Sequence, residues 1–122
     1  LPKPLYWGKI QPLEWPDVDY LVIEGDIEIG PNFRVLTVPG HAPGQLSLIL
    51  ELPETGPVLL TSDAISRPAE IEEKFIGSWD EPMAISSAER LMQLANETGA
   101  FVIYGHSPEQ WPILKKSPNA YV

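Results

Sequence analysis

Val38-Pro39-Gly40-His41-Ala42-Pro43-Gly44-Gln45, residues 38–45, joins two apolar strand patterns in this chain of 122 residues. Two Pro-Gly pairs stiffen the turn around His41, which is one of only two histidines in the sequence. Strand ends followed by rigid turns are suited to holding metal ligands in a fixed geometry. This stretch therefore predicts that His41 is presented at an edge of a sheet, ready to bind metal.

Two further candidate ligands follow apolar runs in the same way. Asp63 ends the run Leu59-Leu60-Thr61-Ser62-Asp63-Ala64, and His106 follows Val102-Ile103-Tyr104-Gly105. Imidazole nitrogens and carboxylate oxygens are the usual donors for zinc and related ions in hydrolases. We expect the three side chains to converge on metal, although their long spacing makes this a prediction about tertiary structure.

Each of these residues also has an ordinary structural explanation. A single histidine in a turn is more often a surface or hydrogen-bonding residue than a ligand, and an aspartate at a strand end is most often a turn former. Taken singly, neither His41, Asp63 nor His106 identifies a site. From the residues alone, both explanations remain open.

The apolar pattern predicts strands, then helices, then a final strand. Residues 46–52 alternate most clearly, and the helix at 82–97 has an apolar stripe with Gly99 after its last turn. The predicted fold class is α+β, with a mainly antiparallel sheet and helices covering one face. The predicted strands are 20–24 and 27–29 as a hairpin, then 33–38, 46–52, 57–60 and 100–104, with a shorter helix at 68–75.

Composition narrows the classes of function. The net charge of −9 argues against binding to nucleic acid, because few basic side chains are available to neutralise phosphates. No apolar run approaches the roughly 18 residues of a membrane span, and the absence of cysteine removes disulfides and zinc-thiolate sites. We expect a cytoplasmic protein with an irregular connecting segment at 1–19 and, at 20–122, one domain at most.

Other catalytic classes lack their motifs. The sequence has no G-x-S-x-G nucleophile elbow, no G-x-G-x-x-G and no phosphate-binding glycine loop. Its scattered acidic pairs are explained by helix and loop surfaces, without a glycosidase site.

An ordered set of motifs runs from about Tyr20 to the C-terminus. These motifs are Tyr20–Gly25, Thr37–Gly44, Val58–Ala64, Phe75–Asp80, Ser87–Leu91 and Ile103–Gln110. In this set the chain resembles the metallo-β-lactamase-fold hydrolases, and in detail the N-acyl homoserine lactonases.

The resemblance implies an αβ/βα sandwich with a two-zinc site at the strand ends. By position, His41 would bind the first zinc ion, Asp63 would bridge both, and His106 would bind the second. A hydroxide activated by both metals would attack a lactone carbonyl, with Asp63 or the metals assisting protonation of the leaving alkoxide. The implied activity is cleavage of N-acyl homoserine lactones, which is quorum quenching.

Two departures from the family pattern qualify this expectation. The HxHxDH motif that supplies the remaining ligands is missing, so the chain resembles only the C-terminal half of such an enzyme. We expect weak metal binding, little activity alone, and a partner: the N-terminal half, another chain or a second copy. Ser66 stands where the subgroup commonly has a tyrosine near the substrate carbonyl, which weakens the expected oxyanion contact, and Tyr104 is expected to belong to the core instead.

Two alternatives accompany the lactonase hypothesis. The chain can belong to another hydrolase of the same fold that cleaves a thioester or a β-lactam. It can also be a non-catalytic binding or structural fragment in which His41 and His106 are vestigial.

Overall fold

Five strands form one mixed sheet in the computed structural model, which describes Asp19 and residues 21–122. The strands lie side by side in chain order, with antiparallel pairing between all neighbours except β4 and β5, which are parallel. Their bounds are β1 Ile27–Gly30, β2 Phe33–Thr37, β3 Leu46–Leu52, β4 Gly56–Leu60 and β5 Phe101–Ile103. The α+β class and the mainly antiparallel sheet are confirmed.

The first hairpin differs from the one that the sequence predicts. Residues 21–24 form no strand, and β1 pairs with β2 across the tight turn at Pro31-Asn32. The hairpin was predicted between 20–24 and 27–29, with its turn at Gly25-Asp26, whereas the structure forms it between the next two predicted strands, 27–29 and 33–38. Asp26 has another use there, because its carboxylate accepts a hydrogen bond from the Thr37 amide at 3.0 Å. The predicted connecting segment at 1–19 lies outside the described residues except for Asp19.

The long helix α2 (Glu81–Thr98) agrees closely with its predicted bounds. It begins after Asp80, whose side chain accepts a hydrogen bond from the Met83 amide at 2.9 Å. It ends at Gly99, which has the left-handed conformation (φ 68°) that favours glycine. The shorter α1 (Ala69–Glu72) lies within the predicted 68–75 segment.

The parallel pairing of β4 with β5 depends on the helices between them. A parallel neighbour needs a crossover connection, which α1 and α2 supply between β4 and β5. Leu60 pairs with Ile103 at the end of both strands. The segments that follow these two residues therefore leave the sheet at the same edge.

Helix α2 covers one face of the sheet with small side chains. Ala84, Ala88, Leu91 and Ala95 are buried in one cluster. The sheet residues of this cluster all lie on one face. Leu36 is paired with Ser47, which is on the same face of β3 as Ile49. Ile49 is paired with Leu59, and Leu59 with Val102. The predicted coverage of one face by helices is confirmed.

The opposite face of the sheet is also apolar. A continuous row of five paired residues crosses all five strands, and a second row of four lies beside it. We call these nine residues the second face: Ile27, Val35, Leu48, Leu60 and Ile103, then Phe33, Leu50, Val58 and Phe101. Seven of them are only partly buried, and Tyr121 lies against Phe101 with ring centroids 5.4 Å apart.

The described part of the chain contains no helix that is long and apolar enough to cross a membrane.

Removing a large side chain from the α2 interface should destabilise the fold. Leu91 is 0% exposed and its replacement by alanine leaves a cavity, so Leu91→Ala should lower the free energy of unfolding by about 2–5 kcal/mol. Glu89→Ala on the exposed side of the same helix should change it by less than about 0.5 kcal/mol. Urea titrations of both variants compare them, and equal effects would contradict this packing.

Candidate metal-ligand site

Asp63 lies in a short 3-10 turn that follows β4 (Ser62–Ala64). Two buried hydroxyls hold this turn from below: Ser47 donates to the Thr61 carbonyl at 2.8 Å, and Thr61 donates to the Ile65 carbonyl at 2.7 Å. Ser62 has a φ of 52°, a left-handed conformation that is uncommon for a residue with a side chain. The surrounding contacts therefore impose a strained backbone immediately beside the candidate ligand.

His106 follows β5 and meets Asp63 directly. Its Nε2 lies 2.8 Å from Oδ1 of Asp63, and its amide donates to the Ser66 carbonyl at 2.8 Å. Gly105 makes this approach possible, because a Cβ at that position would lie 2.5 Å from the Ser62 carbonyl oxygen. The His106 side chain is 73% exposed, so the pair faces solvent.

His41 lies in the β2–β3 turn and is docked onto the start of α2. Its carbonyl accepts from the Trp79 amide at 3.3 Å, and the Gly40 carbonyl accepts from the Asp80 amide at 3.0 Å. Gly40 has a φ of 140°, and a Cβ there would overlap the Ala84 backbone. Glycine is therefore required for the turn to approach the helix this closely.

A side-chain hydrogen bond joins the two turns. Gln45, at the end of the His41 turn, donates from Nε2 to the Ser62 hydroxyl at 3.0 Å, next to Asp63. The structure thus connects the His41 turn with the Asp63–His106 pair through Gln45. Gln45 was not predicted from the sequence to be functional, and only its place at the end of the Pro-Gly turn could have suggested it.

Ser66 lies beside the same pair through its backbone. Its carbonyl accepts from the His106 amide, and its own amide donates to a Glu70 carboxylate oxygen at 2.7 Å. Tyr104 packs partly buried against the core, as expected, and burial raises the pKa of its phenol.

The donor set of the described residues is incomplete for zinc. Asp63 and His106 converge, but no group of three histidine, cysteine, aspartate or glutamate side chains comes together in the part of the chain that the structure describes. Zinc takes three or four protein ligands. These residues therefore do not form a complete zinc site by themselves, and the predicted convergence is met here only by Asp63 and His106.

Comparison with known proteins shows where this geometry belongs. No family profile matches the chain. An N-acyl homoserine lactonase from a Bacillus species is 38% identical over 96 residues, which cover 78% of this chain and 38% of that protein. The N-acyl homoserine lactonase AttM of Azorhizobium caulinodans is 39% identical over 107 residues, 84% of this chain and 38% of that protein.

Solved structures agree with these sequence matches. An N-acyl homoserine lactone hydrolase with the product N-hexanoyl-L-homoserine bound at its catalytic metal centre superposes with a TM-score of 0.79 at 34% identity. The match covers 85% of this chain and 42% of that one. AidC, a dizinc quorum-quenching lactonase, shares the fold at a TM-score of 0.57 and 21% identity.

The chain therefore has part of the metallo-β-lactamase fold. Within that class it is an N-acyl homoserine lactonase-like protein, which confirms the resemblance found in the sequence. It spans 38% of the length of the two curated relatives.

A methyl group at position 105 should separate Asp63 from His106. Gly105→Ala forces the Ser62 turn away, and we expect a loss of about 1–3 kcal/mol of stability with a shifted His106 imidazole proton signal. Gly44→Ala is the matched control, because a Cβ at Gly44 meets nothing within 4 Å. Urea titration and proton NMR measure both effects; an unchanged His106 signal would contradict the close approach.

The Asp26 carboxylate should make stability depend on acidity. Burial disfavours its charge, but hydrogen bonds from Thr37 and Arg90 and the Arg90 charge outweigh burial and hold the pKa of Asp26 below its ordinary value of 3.8. Its ionised form therefore stabilises the fold above that value, and this contribution is lost as pH falls through the lower native pKa. Asp26→Asn should be less stable than the parent at neutral pH, and the gap should close in strong acid, as measured by urea titration against pH.

Proposed function

We propose that this chain forms part of a metal-dependent hydrolase that opens the ring of N-acyl homoserine lactones or related lactones. The observation that carries the proposal is the Asp63–His106 contact at the ends of β4 and β5, in a chain 38–39% identical to lactonases. That contact brings a carboxylate oxygen and an imidazole nitrogen to one solvent-facing point, where a substrate can reach them.

Zinc is the proposed cofactor of the complete protein, with two ions at the site. His41 is proposed for the first ion, Asp63 for both and His106 for the second, with the other ligands supplied from outside the described residues. When bound, zinc supplies an activated water and polarises a carbonyl. The Asp63 carboxylate is also proposed to take up the proton that the attacking water gives up and to pass it to the leaving alkoxide.

The proposed partner is a polypeptide that corresponds to the part of the relatives that this chain does not span. Two features support it: the incomplete donor set, and a second face of nine apolar residues that a packed sheet would cover. It can belong to the same polypeptide or to a separate chain. A second copy of this chain could cover the second face but would add only the same histidines. We therefore propose that the chain alone has little activity. A cytoplasmic location is a separate proposal.

Ser66 favours a second candidate function. A serine hydroxyl is shorter and less acidic than the tyrosine that the family resemblance leads one to expect, so contact with a lactone oxyanion is weaker. A related substrate, such as a thioester or a β-lactam, is the alternative within the same fold. A non-catalytic fragment is the alternative from another class.

Ring opening by the complemented protein tests the proposal. The chain is mixed with, or fused to, the unmatched part of the Bacillus lactonase, and hydrolysis of N-hexanoyl-homoserine lactone is followed with zinc present. We expect turnover only in the complemented sample, with a loss of about 100-fold or more for Asp63→Asn, since even partners of metal ligands contribute 10–100-fold.

Glu28→Gln, an exposed carboxylate on β1, is the control and should leave turnover unchanged. Equal turnover by Asp63→Asn and the parent would contradict the proposal. Faster cleavage of a thioester or β-lactam than of the lactone would favour the second candidate, and failure of the complemented protein to cleave any of them would favour the non-catalytic fragment.

A further inference from the structure

We infer that Arg90 and Ser87 of α2 are positioning residues for His41. They act through residues 37–41, which we call the strap. The functional meaning of this inference rests on the proposed role of His41 as a metal ligand, whereas the positioning itself is a property of the chain that can be measured without metal.

Four backbone carbonyls of the strap accept hydrogen bonds from α2 and from the two residues that precede it, Trp79 and Asp80. The pairs are Thr37 with Arg90 Nη1 at 2.9 Å, Pro39 with Ser87 Oγ at 2.7 Å, Gly40 with the Asp80 amide at 3.0 Å, and His41 with the Trp79 amide at 3.3 Å. The strap therefore runs antiparallel to the helix, with its last hydrogen bond at His41 itself.

The spacing of the helix residues explains this alignment. Positions three residues apart lie on one face of a helix, so Arg90, Ser87 and Ala84 form a single row. Arg90 and Ser87 each donate a side-chain hydrogen bond to a strap carbonyl. The backbone of Ala84 lies directly against Gly40. A displacement of the first half of α2 would consequently carry His41 with it.

Arg90 makes a contact that a lysine could not reproduce. Its Nη1 donates to Thr37, while its Nη2 is paired with the Asp26 carboxylate. Asp26 in turn accepts from the Thr37 amide at 3.0 Å and from the Thr37 hydroxyl at 3.2 Å. The planar guanidinium bridges two acceptors in a fixed direction, whereas an ammonium acts as one point charge on a flexible stem.

The site needs this precision at His41 more than at the other candidates. Asp63 and His106 contact each other directly and are joined through Gly105, Ser62 and Ser66. The His41 turn is held by the donors from α2 and its preceding residues, by the Val38 amide, which donates to the Gln45 carbonyl at 2.9 Å, and by the Gln45 side chain. Ligands must be held within about 0.5 Å of a productive geometry, so loosening the strap should affect His41 more than Asp63 or His106.

Histidine NMR signals of the chain at one fixed pH test this inference. The sequence has only two histidines, so His106 is an internal reference for His41. Arg90→Lys and Ser87→Ala should each shift or broaden the His41 imidazole proton signal and leave the His106 signal in place. Exchange of the Trp79 and Asp80 amides should accelerate by about tenfold relative to core amides of β3. Glu89→Gln, an exposed neighbour on α2, should change none of these.

Three results would overturn the inference: unchanged His41 signals in both variants, equal changes at the two histidines, or equal acceleration of all amides. Loss of folding by both variants would also overturn it, because the residues would then support the fold as a whole. The test uses neither zinc nor substrate. A failure here therefore leaves the lactonase proposal standing, and inactivity of the complemented enzyme leaves the positioning result standing.

Discussion

Leu60 and Ile103 are paired at the last step of the parallel contact between β4 and β5. Because parallel strands end at the same edge of a sheet, the segments after these residues emerge together, and Asp63 comes within 2.8 Å of His106. The glycine before His106 lets the two backbones approach, and buried hydroxyls from Ser47 and Thr61 hold the turn that carries Asp63. Fold and site thus share one constraint: without the crossover through α2, the pair would not form.

The sheet has two apolar faces with different requirements. One face is covered by α2, whose alanines allow close packing. The other face presents larger side chains, among them Leu48, Leu50 and Leu60, which are only partly buried. An incomplete donor set and a second apolar face are consistent with a chain that spans 38% of the length of its curated relatives. Both features support the proposal that a further polypeptide completes the same site.

Local patterns predicted the elements better than their orientation. The alternation at 46, 48, 50 and 52 identified β3, and Asp80 and Gly99 marked the ends of α2, because strand alternation and helix caps are local properties. The same alternation did not show that α2 covers the other side of β3, the side that carries Ser47 and Ile49. Which face a helix covers depends on the crossover, which no single window of sequence contains.

The candidate site was predictable to a similar extent. The candidate ligands could be identified because each follows a strand pattern: His41, Asp63 and His106. The sequence did not show that, among the described residues, only Asp63 and His106 come into contact. The contributions of Gln45, Ser87 and Arg90 were missed, since each acts on a backbone or hydroxyl far away in the chain. The strand predicted at 20–24 was wrong for its described residues, 21–24. The chain just after them is held instead at Asp26, which contacts Thr37 and Arg90.

Zinc content per chain, measured by elemental analysis, tests most directly whether this chain holds part of a shared metal site. The chain alone should retain well below one zinc ion, because its described residues bring only two donors together. The same chain complemented by the unmatched part of a lactonase should retain about two ions, as in two-metal hydrolytic sites. Two tightly held ions in the chain alone, or none in the complemented protein, would contradict the shared site.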